Sequence, residues 1–201
     1  MRLFIAVNFN DEVKSRILEI QQQLRSQAYK GSFSRPENFH LTLAFLGETP
    51  EEKLEILSQI IEEIQSPAFD IVFNRTGCFT HSRKELWWIG AEPEEDCASK
   101  MLCPCGARRG GPDSPGIPHL KAIHGQLIDR LEKEGFSVDK RPFNAHITLA
   151  REIKHTSPMV IDCPEITVRV DRISLMKSEN FKGALTYTEL FGRQLELRTE
   201  G

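Results

Sequence analysis

Two short segments of the sequence share one order of residue types, and both carry groups suited to proton transfer. The first reads His-Leu-Thr-Leu-Ala from His40, and the second reads His-Ile-Thr-Leu-Ala from His146. Six histidines and ten threonines in 201 residues would give roughly 0.3 His-x-Thr arrangements by chance. None of the other four histidines is followed by threonine at this spacing. The repetition therefore indicates one function that is served by two segments.

The residue types of this repeat predict acid-base chemistry on a phosphoryl group. Side chains alternate along a strand, so His40 and Thr42 share one face, as do His146 and Thr148. Two imidazoles can act as complementary acid and base near neutral pH, one taking a proton from an attacking oxygen and the other protonating the leaving oxygen. The threonine hydroxyls can donate hydrogen bonds to phosphoryl oxygens. A lone histidine in a hydrophobic strand is more often structural, and threonine suits strands in general, but the pairing favours the functional interpretation.

Composition limits the class of protein and its partners. Hydrophobic residues make up 39% of the chain, charged residues 27%, and the formal net charge is -3, which is typical of a soluble globular domain. A weakly acidic chain lacks the broad positive field of a protein that coats nucleic acid, so we expect contact with a strand end or a nucleotide. No run approaches the ~20 apolar residues of a membrane span. Five cysteines fit a reducing compartment, and we expect a cytoplasmic protein without a membrane partner.

The hydrophobic pattern predicts an alternation of strands and helices. We expect strands over residues 2–9, 39–46, 69–79, 84–93, 165–178 and 183–197, and the segment 137–152 is expected to lead into the strand that carries His146. We expect a first helix that is capped by Asn10 or Asp11, a second that runs from a Thr49-Pro50 cap to about residue 64, and a third over 120–131 that Gly135 ends. Residues 26–38 are expected to form a loop.

This order predicts an α+β fold in a single domain, residues 1–201. Each half contains one histidine-bearing strand, so we expect two pseudo-symmetric lobes whose antiparallel sheets face a central cleft, with helices outside. No glycine-rich turn follows the first strand, which argues against a dinucleotide-binding fold.

Residues 94–118 lose all periodicity and are rich in proline, glycine and cysteine, so we expect an irregular insert. It is either an extension or the product of a locally misread reading frame. A zinc site is a less favoured alternative because its ligands would lack a Cys-x-x-Cys knuckle; they would be Cys97, Cys103, Cys105, His119 and His124. We predict neither a metal nor a cofactor.

The two motifs, together with their surroundings, resemble the two-histidine phosphoesterases, in particular the RNA 2′,3′-cyclic phosphodiesterases, which are also called 2′-5′ RNA ligase-like proteins. The similarity extends to the segments MRLFIAVNF, FLGE, RPFNAHITLAR and SLMKSENFKGALTYTEL. It implies a LigT-like fold and the metal-independent opening of a 2′,3′-cyclic phosphate, on RNA ends or small nucleotides, to a 2′-phosphate. It further implies that His40 protonates the departing 3′ oxygen and that His146 activates water, although a symmetric site can run in either sense.

The resemblance also implies two further contacts. Phe45 and Arg151 each lie three residues after a motif threonine, and the family uses an aromatic residue against a base and an arginine on phosphate at these places. A residue at this spacing faces away from the threonine unless the strand bends. A base platform at Trp87 or Trp88 is a less favoured possibility, since one of two neighbouring strand residues normally faces the core.

The direction of the reaction stays open. The same two protons move in hydrolysis and in 2′-5′ ligation, and the family also includes 2′-5′ oligonucleotide phosphodiesterases. An alternative of another class is a non-catalytic nucleotide- or RNA-binding module. We expect a monomer that acts on ends or nucleotides bearing a 2′,3′-cyclic phosphate.

Overall fold

The computed structural model describes residues 1–81, 84–91, 116–139 and 141–196. Its helices are α1 (Asp11–Gln27), α2 (Leu54–Glu62) and α3 (Ile117–Lys133), with 3-10 turns at Pro36–Asn38 and Glu51–Lys53. Its strands are β1 (Arg2–Asn8), β2 (Lys30–Phe33), β3 (His40–Glu48), β4 (Phe69–Phe73), β5 (Arg75–His81), β6 (Lys84–Gly90), β7 (His146–Lys154), β8 (Ile166–Val170), β9 (Arg172–Phe181) and β10 (Ala184–Gln194). The expected α+β class is confirmed.

The main sheet is antiparallel and consists of two halves that meet between the histidine-bearing strands. Its order is β10-β9-β1-β3-β7-β6-β5, and β2 also pairs with β7. The two central strands, β3 and β7, pair at one position, Leu41 with Ile147. Both of these residues are buried in the main hydrophobic core, to which α1, α2 and α3 contribute. The histidines and threonines on either side of this pair therefore face away from the helices.

Local sequence explains where the first and third helices begin and end. The side chain of Asn10 accepts a hydrogen bond from the backbone N–H of Val13 at 2.9 Å, which confirms the predicted cap of α1. The core face of α1 is formed by the residues that its spacing predicted, Val13, Ile17, Ile20 and Leu24. The chain leaves α3 through Gly135, whose φ of 76° is the left-handed conformation that glycine adopts most easily.

Several predicted boundaries are wrong because they depend on long-range pairing. Part of the expected loop, Lys30–Phe33, forms β2 against β7. The expected strand 69–79 is divided at Asn74 into β4 and β5, and the expected strand 165–178 is divided at Asp171 into β8 and β9. In each case one piece joins the main sheet, while β4 and β8 pair with each other in a separate two-stranded sheet.

The second helix also begins differently from the prediction. Pro50 occupies the cap position of the 3-10 turn that precedes α2, and no side chain caps it. The hydroxyl of Thr49 instead donates to the carbonyl of Gly47 at 3.3 Å.

Most of the predicted insert, residues 94–115, lies outside the described residues. Its predicted end at Pro118 falls inside α3, which begins at Ile117 and carries the proline in its first turn. This position suits proline because the first N–H groups of a helix have no partner within it. Across the described ranges, no helix combines the length and apolar character that a bilayer span requires.

Candidate active site

The structure brings both motifs to one face of the sheet at the junction of its halves. The paired positions Leu41 and Ile147 face the core, so His40, Thr42, His146 and Thr148 all face the opposite side. Because the strands are antiparallel, the register places each histidine beside the threonine of the other motif. The two histidines are then diagonal neighbours, a relation that separates backbone positions by about 7–8 Å in such pairs. All four side chains are partly buried.

The ring of His40 is held in one tautomer. Its Nδ1 lies 2.7 Å from the backbone carbonyl oxygen of Asn38, and a carbonyl can only accept, so Nδ1 carries the proton. The side-chain amide of Asn38 in turn donates to the carbonyl of Leu185 at 2.9 Å, which fixes this loop against β10. In the neutral ring Nε2 is therefore unprotonated, and it accepts a hydrogen bond from the Thr42 hydroxyl at 3.0 Å.

The ring of His146 is oriented in the same way. Its Nδ1 lies 2.9 Å from the carbonyl oxygen of Asn144, so its Nε2 is also unprotonated when the ring is neutral. Among the residues that the structure describes, no group hydrogen-bonds to this Nε2, in contrast to Nε2 of His40. Both asparagines lie two residues before their histidine, so the repeat extends to Asn-x-His-x-Thr. The sequence displays this longer repeat, but the His-x-Thr motif alone does not reveal it.

Burial and neighbouring charge keep both imidazoles neutral in the free protein. Desolvation is the main cause that lowers the pKa of His40 to about 4, and the charges of His146 and Arg151 lower it further, against the opposing hydrogen bond to Asn38. Desolvation also lowers the pKa of His146, and Arg151 contributes in the same direction. The charges of His146 and Arg151, which belong to the other half of the sheet, thus lie close enough to His40 to affect its pKa.

A β-bulge in each motif strand brings Phe45 and Arg151 to the face of the histidines. In β3, Ala6 pairs with Thr42 while Phe4 pairs with Phe45. Residues that pair across antiparallel strands share a face. Thr42 and Phe45 are three residues apart in β3, but their partners in β1 are only two apart, so the bulge puts both side chains on the same face.

The same irregularity occurs in β7, where Trp88 pairs with Thr148 and Leu86 pairs with Arg151. The burial pattern shows the extra residue directly, because Leu149 and Ala150 are both buried in succession. The alternation that argued against Phe45 and Arg151 in a straight strand is thus reset by bulges.

A buried side chain on the helix side of the sheet hydrogen-bonds to the backbone of the β7 bulge. Gln21 of α1 is 1% exposed, and its amide donates to the carbonyl oxygens of Leu149 and Ser34, both at 2.7 Å. The backbone N–H of Ser34 also donates to the carbonyl of Leu149 at 2.9 Å. This network fixes the backbone immediately before Arg151.

The two residues that the bulges expose differ in character. Arg151 is exposed and has no carboxylate partner among the described residues, so its guanidinium is available to an anion. Phe45 is 45% exposed, and the guanidinium of Arg2 lies over its ring at 5.0 Å from the centroid, a cation–π contact.

Aromatic side chains flank each histidine. The ring of His40 contacts Phe4 at 4.8 Å and Tyr187 at 5.1 Å, measured between centroids. The phenol of Tyr187 makes no hydrogen bond to any described residue; burial raises its pKa, and the charges of Arg151 and Arg2 partly oppose that rise. Tyr187 was missed at the motif level because it belongs to β10, far away in sequence, and only the sheet order brings it to His40.

On the other side, His146 is flanked by Phe79 at 5.5 Å and Trp88 at 6.4 Å. Trp87 and Trp88 are 0% and 1% exposed, so neither indole offers an open surface. The expectation that one of the two neighbouring residues faces the main core holds for Trp87.

The zinc alternative receives no geometric support from the part of the chain that is described. Cys97, Cys103 and Cys105 lie outside the described residues, His119 stacks on Phe69 and His124 packs against Phe143. Within the described ranges, no three His, Cys, Asp or Glu side chains form a cluster able to hold a metal ion.

Comparison with known proteins places the chain in a family. The model of the LigT-like phosphoesterases matches residues 7–88 and 111–187, and its interruption falls largely in the irregular segment. The chain belongs to this family of two-histidine phosphoesterases.

Relatives and solved structures agree with this assignment. The RNA 2′,3′-cyclic phosphodiesterase of Thermotoga maritima is 28% identical over 98% of this chain and 96% of its own length. The protein of the same name from Archaeoglobus fulgidus is 30% identical over 81% and 78%, respectively. The crystal structure of Escherichia coli LigT with 3′-AMP superimposes with a TM-score of 0.74, at 26% identity, over 96% of this chain and 97% of that one.

Proposed function

We propose that the protein hydrolyses 2′,3′-cyclic phosphates on RNA ends or small nucleotides to 2′-phosphates, by acid-base catalysis between His40 and His146. One observation carries this proposal. Both imidazoles have Nδ1 committed to a backbone carbonyl, which leaves both Nε2 atoms for proton transfer on one face of the sheet, where its halves meet. The relatives named above, and the 3′-AMP complex of the E. coli protein, support a nucleotide substrate.

The reaction needs two proton transfers, and the site supplies one group for each. Nε2 of His146 takes a proton from water as the water oxygen bonds to phosphorus. Among the described residues, no group hydrogen-bonds to this nitrogen. The bond from phosphorus to the 3′ oxygen breaks, and protonated His40 gives its Nε2 proton to that oxygen. The product carries a 2′-phosphate and a 3′-hydroxyl, and proton exchange with solvent restores both rings.

Binding of the substrate favours the protonated form of His40 that can act as an acid. A pKa of about 4 leaves this ring neutral near pH 7 in the free protein. An anionic phosphodiester beside the ring favours its protonated form and raises the pKa. The donor therefore becomes charged when the substrate binds, at the step where the proton is needed.

The remaining groups hold the phosphoryl oxygens. Thr42 and Thr148 donate hydroxyl hydrogen bonds, and Arg151 offers a planar guanidinium that suits two oxygens at once. Phe45 is assigned to the base of the substrate. Both motifs come from one chain, so a monomer would suffice.

The decisive experiment measures hydrolysis of 2′,3′-cyclic AMP by the parent, His40→Ala and His146→Ala, with EDTA present. Each change should lower kcat by about 100-fold or more, because each removes a proton carrier. His119→Ala is the matched control: this histidine stacks on Phe69 away from both motifs, so its variant should keep the parent rate. A bell-shaped pH profile is expected, with apparent pKa values that belong to the coupled pair.

Three outcomes would contradict the proposal. Loss of activity in EDTA would show a metal requirement. Full activity in either motif variant would remove that histidine from the chemistry. A parent that binds 2′-AMP but turns over no cyclic phosphate would instead favour the non-catalytic binding module.

The reverse reaction is tested with the same protein. A 5′-hydroxyl oligonucleotide offered together with a cyclic-phosphate end would give a 2′-5′ linkage if the site also ligates. We put hydrolysis first because Nε2 of His146 has no hydrogen-bond partner among the described residues and can accept a proton from water. A ligation rate above the hydrolysis rate would reverse that order.

A further inference from the structure

An exposed aromatic ring lies beside His146 at a place that the proposed hydrolysis leaves unused. Phe79 of β5 is 37% exposed, and its ring stands edge-on to the imidazole, with 5.5 Å between centroids and an interplanar angle of 88°. Cyclic-phosphate hydrolysis requires only a water molecule on this side of the phosphorus. The ring therefore offers a binding surface for something larger than water.

The sheet is shaped to fix this ring. The ring centroids of Trp88 and Phe79 are 5.2 Å apart. The indole of Trp88 also packs so closely on two glycines that neither position could carry a side chain. A Cβ at Gly77 would come within 2.2 Å of the indole, and one at Gly90 within 2.5 Å. Trp88 is thus buried against the backbone, and it backs Phe79 without itself being open to a ligand.

The position of Phe79 relative to the reacting atoms identifies the ligand. In an in-line displacement the entering and leaving oxygens lie on opposite sides of phosphorus, one toward each histidine. The ribose of the cyclic phosphate occupies the His40 side. Whatever is attached to the oxygen on the His146 side then lies beside Phe79. For water this is a proton; for a phosphodiester it is a second nucleoside.

We propose that Phe79, backed by Trp88, is a stacking surface for the base of this second nucleoside. The ligand class is a dinucleoside monophosphate, or RNA joined across the phosphorus, with one base on the Phe45 side and the other on the Phe79 side. Open aromatic faces stack nucleobases of any identity, so little base preference is expected here. This proposal rests on the proposed function, because it assumes that a phosphodiester lies between the two histidines.

The test compares two inhibitors of 2′,3′-cyclic AMP hydrolysis. Adenylyl-2′,5′-adenosine carries a nucleoside on both sides of phosphorus, whereas 2′-AMP carries one. In Phe79→Leu, which keeps an apolar side chain but removes the ring, the ratio of the dinucleoside inhibition constant to that of 2′-AMP should rise about tenfold. The control is Phe181→Leu, at an aromatic residue that is 64% exposed on β9, near the other edge of the sheet; its ratio should equal that of the parent.

An unchanged ratio in Phe79→Leu would overturn the proposal, and so would an equal rise of both constants. Phe79→Trp provides a second variant should the first fail to fold, because a larger ring should lower the dinucleoside constant; a higher constant would count against stacking. Isothermal titration with the same two compounds gives the ratio without turnover. A parent that hydrolyses nothing would therefore contradict the proposed function alone.

Discussion

The two histidine motifs share one backbone plan but are surrounded by different side chains. In both halves an asparagine carbonyl two residues earlier orients the ring, and in both a bulge follows the threonine. These shared features fix the direction in which each Nε2 points and the position of the bulge in each strand.

The differences lie in what fills the space around that plan. Thr42 hydrogen-bonds to Nε2 of His40, whereas no described group does so for His146. The position paired with the threonine is Ala6 in one half and Trp88 in the other. One bulge exposes Phe45 and the other exposes Arg151.

The repeat thus fixes where each imidazole lies, while the surrounding side chains decide which hydrogen bonds and ring contacts it makes. Two identical imidazoles in identical settings would have no reason to divide acid from base. Here Nε2 of His40 already accepts a hydrogen bond from Thr42, while Nε2 of His146 has no hydrogen-bond partner among the described residues. The predictions below separate what is shared from what differs.

The largest effect is expected where the halves differ in charge. Arg151→Met should lower kcat/KM for 2′,3′-cyclic AMP by about 100-fold, because it removes preorganised donors from the phosphoryl oxygens. Phe45→Leu should cost about fivefold, since it weakens only contact with a base. Arg151→Lys is the matched control: it restores charge without the planar fork and should fall between Arg151→Met and the parent. Equal losses in Arg151→Met and Phe45→Leu would show that the difference has no functional weight.

The two threonines should have similar effects on rate and different effects on titration. Thr42→Val and Thr148→Val each remove one hydrogen bond to a charged oxygen, and each should lower kcat by about tenfold. Only Thr42→Val should raise the pKa of its histidine in the free protein, because the Thr42 hydroxyl stabilises the neutral ring. Titration of the imidazole resonances by NMR measures this. Matching rises at both histidines would mean that the motifs are equivalent in solution.

A smaller effect, on stability, tests how the β7 bulge is held. Gln21→Met keeps the volume but removes two buried hydrogen bonds, so the free energy of unfolding should fall by about 1–3 kcal/mol. Gln22→Met makes the same chemical change on the exposed face of α1 and should alter stability by less than about 0.5 kcal/mol. Urea denaturation of both variants measures the free energy of unfolding. Equal values would show that the hydrogen bonds of Gln21 do not stabilise the backbone before Arg151.

Near neutral pH the smallest effect is the dependence of stability on pH. The pKa of His40 is about 4 in the folded chain against 6.5 for an unperturbed imidazole, so the unfolded chain binds more protons between these values. Stability therefore falls as the pH drops from about 6.5 to 4, and it is unaffected by this group above that interval. His40→Asn should flatten this fall in denaturation midpoints. His146→Asn should do so too, because its pKa is also lowered. An identical fall in the parent and both variants would exclude the two rings as its source.

Local patterns predicted much of this molecule. The motif strands, the cap at Asn10, the core face of α1 and the glycine that ends α3 all follow from side-chain periodicity and backbone preference. The misses occur where partners are far apart in the chain. The divisions at Asn74 and Asp171, and the pairing of Lys30–Phe33 with β7, depend on which strands meet, and hydrophobicity does not encode that locally.

The residues of the candidate site divide in the same way between those that a local pattern predicts and those that depend on long-range pairing. Four of its residues could be chosen from the repeat alone, because a polar pair on one strand face is a local property. Phe45 and Arg151 required a resemblance to known proteins, since simple alternation placed them on the wrong face. Tyr187 and Phe79 were found only when the sheet order brought β10 and β5 to the motifs.

The sequence by itself determined that two imidazoles and two hydroxyls would lie in pairs on strand faces, because side-chain alternation is built into the extended backbone. The tertiary structure decided that the two pairs face one site, since only the pairing of Leu41 with Ile147 sets the register between them. It also decided which neighbours each ring has. Hydrogen bonds and ring contacts depend on atoms that meet in space, and these made the surroundings of the two motifs different.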